Sequence, residues 1–165
     1  TACNPKIATR ALEYPPLHAQ HVELKLFSRL DDGNLCGELM RCTCQYRGCA
    51  EEDIAALELC TLEAFNNAAE HAHGLDESKP IRVTITCLDD EVCVCVFDTG
   101  PGMDLDLLNG PMPPTDPDNP ETWTERGRGL PIIRELMTRV SYETSDDINV
   151  LKFSRSICRT EVNRP

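Results

Sequence analysis

No run of this chain comes near the ~20 consecutive apolar residues that a membrane-spanning helix needs. Its opening residues, Thr-Ala-Cys-Asn-Pro-Lys, hold no apolar core of the secretory kind, so nothing in them suggests export. Basic residues are scarce: 16 Lys and Arg stand against 28 Asp and Glu, a net charge of −12. A protein that grips nucleic-acid phosphates needs a basic footprint, so direct nucleic-acid binding is not expected. The charge leaves the partner open, because an acidic chain can still take a basic partner through a local site. Also missing is G-x-x-x-x-G-K-[ST], which excludes a P-loop. Ten cysteines are present, yet no two are spaced Cys-x-x-Cys, and a zinc ribbon needs such pairs.

The cysteines that are present read mainly as reduced structural thiols of a cytoplasmic protein. Cys93 and Cys95 alternate with Val92, Val94 and Val96, as small fillers of a buried strand would. Cys60 falls in an apolar helix and Cys87 on the apolar side of a strand. The group Cys36, Cys42, Cys44 and Cys49 leaves a metal or redox role open. With 165 residues, 41% apolar and 27% charged, the chain has the size and make-up of one soluble domain.

Residues 1–20 contain Pro5, Pro15 and Pro16 and little periodicity, and read as an irregular arm leading to a strand at Val22–Phe27. Asp31-Asp32-Gly33-Asn34 reads as a turn, with Asn34 capping a helix over Leu35–Arg47. A second helix is expected from about Glu51 to His73, packed antiparallel on the first. Ile81–Leu88 alternates, with Ile81, Val83, Ile85 and Cys87 on one side. Asp89-Asp90 turns it into a second strand, Val92–Phe97, as a hairpin. Residues 103–126 carry five prolines, which argues against a regular element and for a lid. Gly129 opens a helix whose buried stripe is Leu130, Ile133, Leu136, Met137 and Val140. Two strands follow, around Tyr142 and over Asn149–Ile157. One-sided strands and covering helices predict a two-layer α/β (α+β) sandwich with a mainly antiparallel sheet and helices on one face.

Three segments carry polar chemistry. On the second helix, at about 100° per residue, Glu63, Asn66, Asn67 and Glu70 make a polar stripe on an otherwise apolar surface. Such a stripe is costly unless it lines a pocket or finds partners. The very apolar strand ending at Phe97 runs into Asp98-Thr-Gly100-Pro-Gly102, where a carboxylate can accept from an exocyclic amine and glycines admit a close backbone approach. Gly127-Arg128-Gly129-Leu130 then leads into a helix, presenting free N–H groups and a positive dipole end to phosphate. Each segment alone is also an ordinary surface pair, turn or cap. Thirty-one positions separate Asn67 from Asp98, and twenty-five separate Gly102 from Gly127.

In this order and on these element types, the three segments resemble the ATP site of the GHKL family of gyrases, histidine kinases and related ATPases. Glu63-x-x-x-Asn67-Ala-x-x-His71 and Gly127-Arg-Gly-Leu-x-Ile-Ile resemble the bacterial anti-sigma-factor serine/threonine kinases within it. The resemblance implies the Bergerat-type fold over residues 21–158, with a lid at about 103–126 and a tail at 159–165. It implies ATP and Mg²⁺ as cofactors. Asn67 would be the metal ligand, Asp98 the acceptor for the adenine amine, and Gly100 and Gly102 the adenine wall. Gly127, Arg128, Gly129 and Leu130 would form the phosphate turn, and Glu63 would be the general base. His71 matches a recurrent position and is read as a satisfied core histidine. The implied activity is γ-phosphate transfer to a serine or threonine of an anti-sigma-factor antagonist, in a partner switch that regulates transcription. A sigma factor is implied as a further partner and a homodimer as the assembly. Where the family has a Gly-Thr-type segment, this chain has Asp147-Ile148-Asn149-Val150, which puts a contact near the phosphates in doubt. Two other classes stay open: a nucleotide-gated binding module without kinase activity, and a thiol or metal sensor on the same fold.

Overall fold

The structure is a computed structural model and describes residues 19–111 and 127–158. The expected arm up to residue 18, most of the expected lid and the tail lie outside the described residues. The elements run β1 (Gln20–Phe27), α1 (Leu30–Tyr46), α2 (Glu51–Asn67), β2 (Pro80–Cys87), β3 (Glu91–Asp98), α3 (Leu105–Asn109), α4 (Gly129–Leu136), β4 (Arg139–Ser145) and β5 (Ile148–Ser156). The strands form one five-stranded sheet in the order β1-β2-β3-β5-β4, antiparallel throughout. This is the expected two-layer α+β sandwich.

The alternation in β2 and β3 places the core. Ile81, Val83, Ile85 and Cys87 are fully buried on one face of β2, and Val92, Val94 and Val96 on the same face of β3. Burial of each such aliphatic side chain stabilises the fold by roughly 1.5–3 kcal/mol. Cys93 and Cys95 point the other way and are half-buried. Leu57, Cys60, Ala64 and Phe65 of α2 and Ile133 of α4 complete the inner layer.

Helix α1 begins five residues earlier than the cap reading implies. Asp31-Asp32-Gly33-Asn34 is its first turn, and Asn34 caps nothing. Asp31 and Asp32 suit the positive helix end. The Asp32 carboxylate reaches back to accept the Phe27 N–H at 3.0 Å. Gly33 is a packing residue: a Cβ there would stand 2.9 Å from both Asn66 Oδ1 and Phe65 Cδ1. The same contact corrects the polar stripe of α2, because Asn66 faces α1. Val140 belongs to β4 and not to the helix before it, since α4 ends at Leu136. The proline-rich segment does hold a regular element, the short α3, which precedes Pro111 and whose Asp104 cap accepts the Asp106 N–H at 2.9 Å.

After Asn67 the second helix widens into a π turn, Ala68–Ala72, with the His73 N–H reaching back to the Ala68 carbonyl at 3.1 Å. Such one-turn π segments recur at functional sites. Here the turn pushes the Ala72 carbonyl toward the loop that follows β3.

Candidate functional site

A cavity of about 380 Å³ opens between α2 with its π turn, the loop after β3, and the start of α4. Its size falls in the small-molecule range. Asn67, Asp98, Gly102, Gly127, Gly129 and Leu130 line it together. The structure thus brings the three sequence segments to one place.

Asp98 lines the cavity and is only 8% exposed. Its Oδ1 accepts the Gly100 N–H at 2.9 Å and the Asn149 Nδ2–H at 2.7 Å. Asn149 is the residue paired with Asp98 across β3 and β5. It also donates to the Gly100 carbonyl at 2.9 Å and, through Oδ1, accepts the Thr144 hydroxyl at 2.9 Å. The doubtful Asp147–Val150 segment therefore stands beside Asp98, whose carboxylate Asn149 holds. Gly100 is required by the fold, because a Cβ on it would lie 2.2 Å from the Ala72 carbonyl oxygen. Gly102 has ordinary space, its nearest neighbour being Thr144 Oγ1 at 3.6 Å. Tyr142 lines the cavity, and its hydroxyl accepts the Met103 N–H at 2.9 Å.

On the α4 side, Gly127 has φ +80° and leads through Arg128 into the first turn of α4. Gly129 is buried against α2: a Cβ there would meet Glu63 Oε2 at 2.5 Å and Asn67 Nδ2 at 3.4 Å. Glu63 and Asn67 thus both face the N-terminus of α4, one helical turn apart. Asn67 Nδ2 is buried and has no hydrogen-bond partner among the described residues. A buried carboxamide nitrogen left unpaired beside this largely apolar cavity fits a ligand there, and a half-turn of the group presents its oxygen. That oxygen is the donor that Mg²⁺ takes. The donor set and the side-chain-free ground at Gly129 fit a magnesium-bound phosphate chain beside Asn67.

His71 is exposed and lines the cavity, which corrects its reading as a core histidine. The buried, satisfied histidine is His73. Of the unusual cysteines, Cys36, Cys44 and Cys49 are buried and Cys42 is exposed, and Cys44 lies beside Cys49 and Cys87. Burial pushes the Cys36 thiol up to about 12, as expected of an inert structural thiol. No cluster of three or more metal-ligating side chains occurs among the described residues.

The profile of the histidine kinase-like ATPase domain family matches residues 33–155. The chain belongs to that family. Among curated relatives of this histidine kinase-like ATPase, a protein of Oceanobacillus iheyensis named serine-protein kinase RsbW is 29% identical over 117 residues, 70% of this chain and 73% of the relative. A protein of the same name from Halalkalibacterium halodurans is 27% identical over 117 residues, 70% of each chain. Among solved structures, the RsbU and RsbW domains of a Mycobacterium tuberculosis protein superpose with a TM-score of 0.61 at 17% identity, over 86% of this chain and 33% of that one. The present chain spans about a third of that structure. The SiaB–SiaC complex from Pseudomonas aeruginosa gives a TM-score of 0.53 at 13% identity, over 83% of this chain and 89% of its counterpart. Both structures share the fold. Among the described residues, no helix is long and apolar enough to cross a membrane.

Proposed function

We propose that this histidine kinase-like ATPase domain is an anti-sigma-factor-type protein serine/threonine kinase that uses ATP. The single observation that carries the reading is that Glu63 and Asn67 stand together against Gly129, beside a cavity that Asn67, Gly129 and Asp98 line in common. Adenine would lie at the Asp98 end, its amino group donating to the carboxylate. The phosphates would lie over the Gly127–Leu130 turn, where the N–H groups and dipole of α4 favour negative charge. Asn67 would hold Mg²⁺, which supplies charge neutralisation on the transferring phosphoryl group. A serine or threonine hydroxyl of the partner would attack the γ-phosphorus as the bond to the bridging oxygen breaks. Glu63 would accept the hydroxyl proton, and ADP would leave. Positioning and electrostatics supply most of the rate in such transfers, and a general base contributes about 10²–10⁴-fold.

The names of the curated relatives support the kinase reading. The partner that suits it is an anti-sigma-factor antagonist presenting a serine or threonine, with a sigma factor and a second copy of this chain as further partners. The test is transfer of labelled γ-phosphate to that antagonist by wild type and Glu63→Gln. We expect labelled wild-type reactions, a drop of about 10²–10⁴-fold in the variant, and unchanged ADP affinity. Equal labelling by both proteins would remove Glu63 from the base role. ATP binding with no phosphoprotein for any antagonist would leave a nucleotide-gated binding module instead.

A further inference from the structure

Next to the cavity runs a chain of hydrogen bonds, buried at Ser28 and His73, that the phosphotransfer itself does not use. Ser28, at the junction of β1 and α1, is fully buried, and His73, just past the π turn, is 5% exposed. Ser28 Oγ lies 2.6 Å from His73 Nδ1. The same hydroxyl donates its hydrogen to the Lys79 carbonyl at 3.0 Å. Ser28 therefore accepts from the ring, and Nδ1 carries the proton. On the other side of the ring, Nε2 accepts the Thr99 N–H at 3.2 Å. One neutral tautomer satisfies both ends, and it is fixed by partners on both sides.

Thr99 stands between Asp98 and Gly100, so its N–H belongs to the turn that aims the Asp98 carboxylate. The ring is thus a strut between the first strand and that turn. We propose that His73 is a positioning residue for nucleotide binding and that protonation of its Nε2 loosens the Asp98–Gly100 turn, so that nucleotide affinity weakens as pH falls, a reading that rests on the nucleotide function proposed above. A proton on Nε2 would face the Thr99 N–H donor to donor, and the two groups would have to part. Asn149 would still hold Asp98 Oδ1 but not the Thr99 peptide.

The charged groups that face the ring come from three places. Burial, the largest influence, holds the His73 pKa below the ordinary histidine value, and Lys79, ahead of β2, acts in the same direction. Asp98 at the end of β3 and Asp76 in the loop after the π turn oppose them. Ser28 and Thr99 bring no charge. The sign follows: the neutral ring is the form that suits the folded turn. Its support is complete above the ordinary histidine range and is lost as pH falls through the depressed pKa.

The test is calorimetry with ADP from pH 8 to pH 5 on wild type, His73→Gln and His71→Gln. A glutamine carboxamide can accept from the Thr99 N–H but does not titrate, and titration of ADP itself is common to all three proteins. Relative to His73→Gln, wild-type affinity should fall by up to about tenfold per pH unit below the His73 pKa. In ligand-free wild type, the Thr99 amide resonance should shift with the same midpoint as the His73 ring, a readout that needs neither nucleotide nor a folded variant. The same pH dependence in wild type and His73→Gln would overturn the inference, as would a Thr99 amide indifferent to the ring. A difference abolished by His71→Gln instead would assign the effect to the exposed histidine and overturn it too. Absence of ADP binding at pH 8 would remove the nucleotide reading and this one with it, whereas binding without the His73 component would overturn this one alone.

Discussion

Asn149→Ala tests how the carboxylate end of the cavity is built. Asn149 is 1% exposed and joins three groups: Asp98, the Gly100 carbonyl and the Thr144 hydroxyl. Its bond to the Asp98 carboxylate is of the charge-assisted kind, worth about 1.5–3 kcal/mol, and the bond to Gly100 is a neutral one, worth about 0.5–1.5 kcal/mol. Truncation loses both, together with the bond from the Thr144 hydroxyl, and takes this partner from the part-buried Gly100 carbonyl. Water entering the space left behind restores part of the loss, so we expect about 2–3 kcal/mol less stability in urea unfolding. A carboxylate held by fewer donors also aims less well, and ADP affinity should drop by about tenfold, or 1.4 kcal/mol. Asn149→Asp should do more at pH 8, because it sets a second carboxylate beside Asp98. Part of that affinity should return as the pH falls and the pair takes up a shared proton. Calorimetry and urea melts on the two variants decide the matter. An alanine variant within about 0.5 kcal/mol of wild-type stability, with unchanged ADP affinity, would refute the role given to Asn149.

Two glycines are expected to fail in opposite ways. Gly129→Ala puts a methyl group 2.5 Å from Glu63 Oε2, and the flexible carboxylate can swing aside, so phosphotransfer should fall at least about tenfold while the unfolding midpoint changes little or rises, alanine being the better helix former by about 1 kcal/mol; normal transfer would show that the Glu63 position does not matter. Gly100→Ala instead drives a methyl group to 2.2 Å from a backbone oxygen, so the ligand-free protein itself should lose about 1–3 kcal/mol or more, and an unchanged urea midpoint would refute that packing account.

The layer structure was legible because period-two alternation in Ile81–Cys87 and Val92–Val96 has only one way to bury its apolar side. The order of the polar segments was legible because they sit at element ends, where turn and cap chemistry leaves marks. The start of α1 was misread for a local reason. Asp-Asp-Gly-Asn has turn composition, but Gly33 is there to let Phe65 and Asn66 approach, a fact about another helix. Tertiary packing overrode propensity. From sequence, His71 reads as buried because a lone histidine on a mostly apolar helix is usually a satisfied core group, but the helix widens at Ala68–Ala72, and it is His73, just past that π turn, that is buried.

Asn149 and His73 illustrate a deeper gap. Asn149 acts on Asp98 from 51 positions away, and His73 acts on Thr99 from 26 positions away and on Ser28 from 45. No local spacing encodes such pairs; they exist only once the β3–β5 register and the π turn are set. The glycines of the Asp98 turn carry the same lesson. From sequence, Gly100 is an opening for a ligand. In the fold, the space beyond it is filled by the Ala72 carbonyl, so the chain needs this glycine even before a nucleotide arrives. Gly129 differs, since what approaches it is the Glu63 side chain, and a methyl group there would displace that side chain rather than the backbone. One motif glycine therefore holds the frame of the cavity and the other leaves room for the proposed base, which is why ligand-free stability and phosphotransfer should separate them.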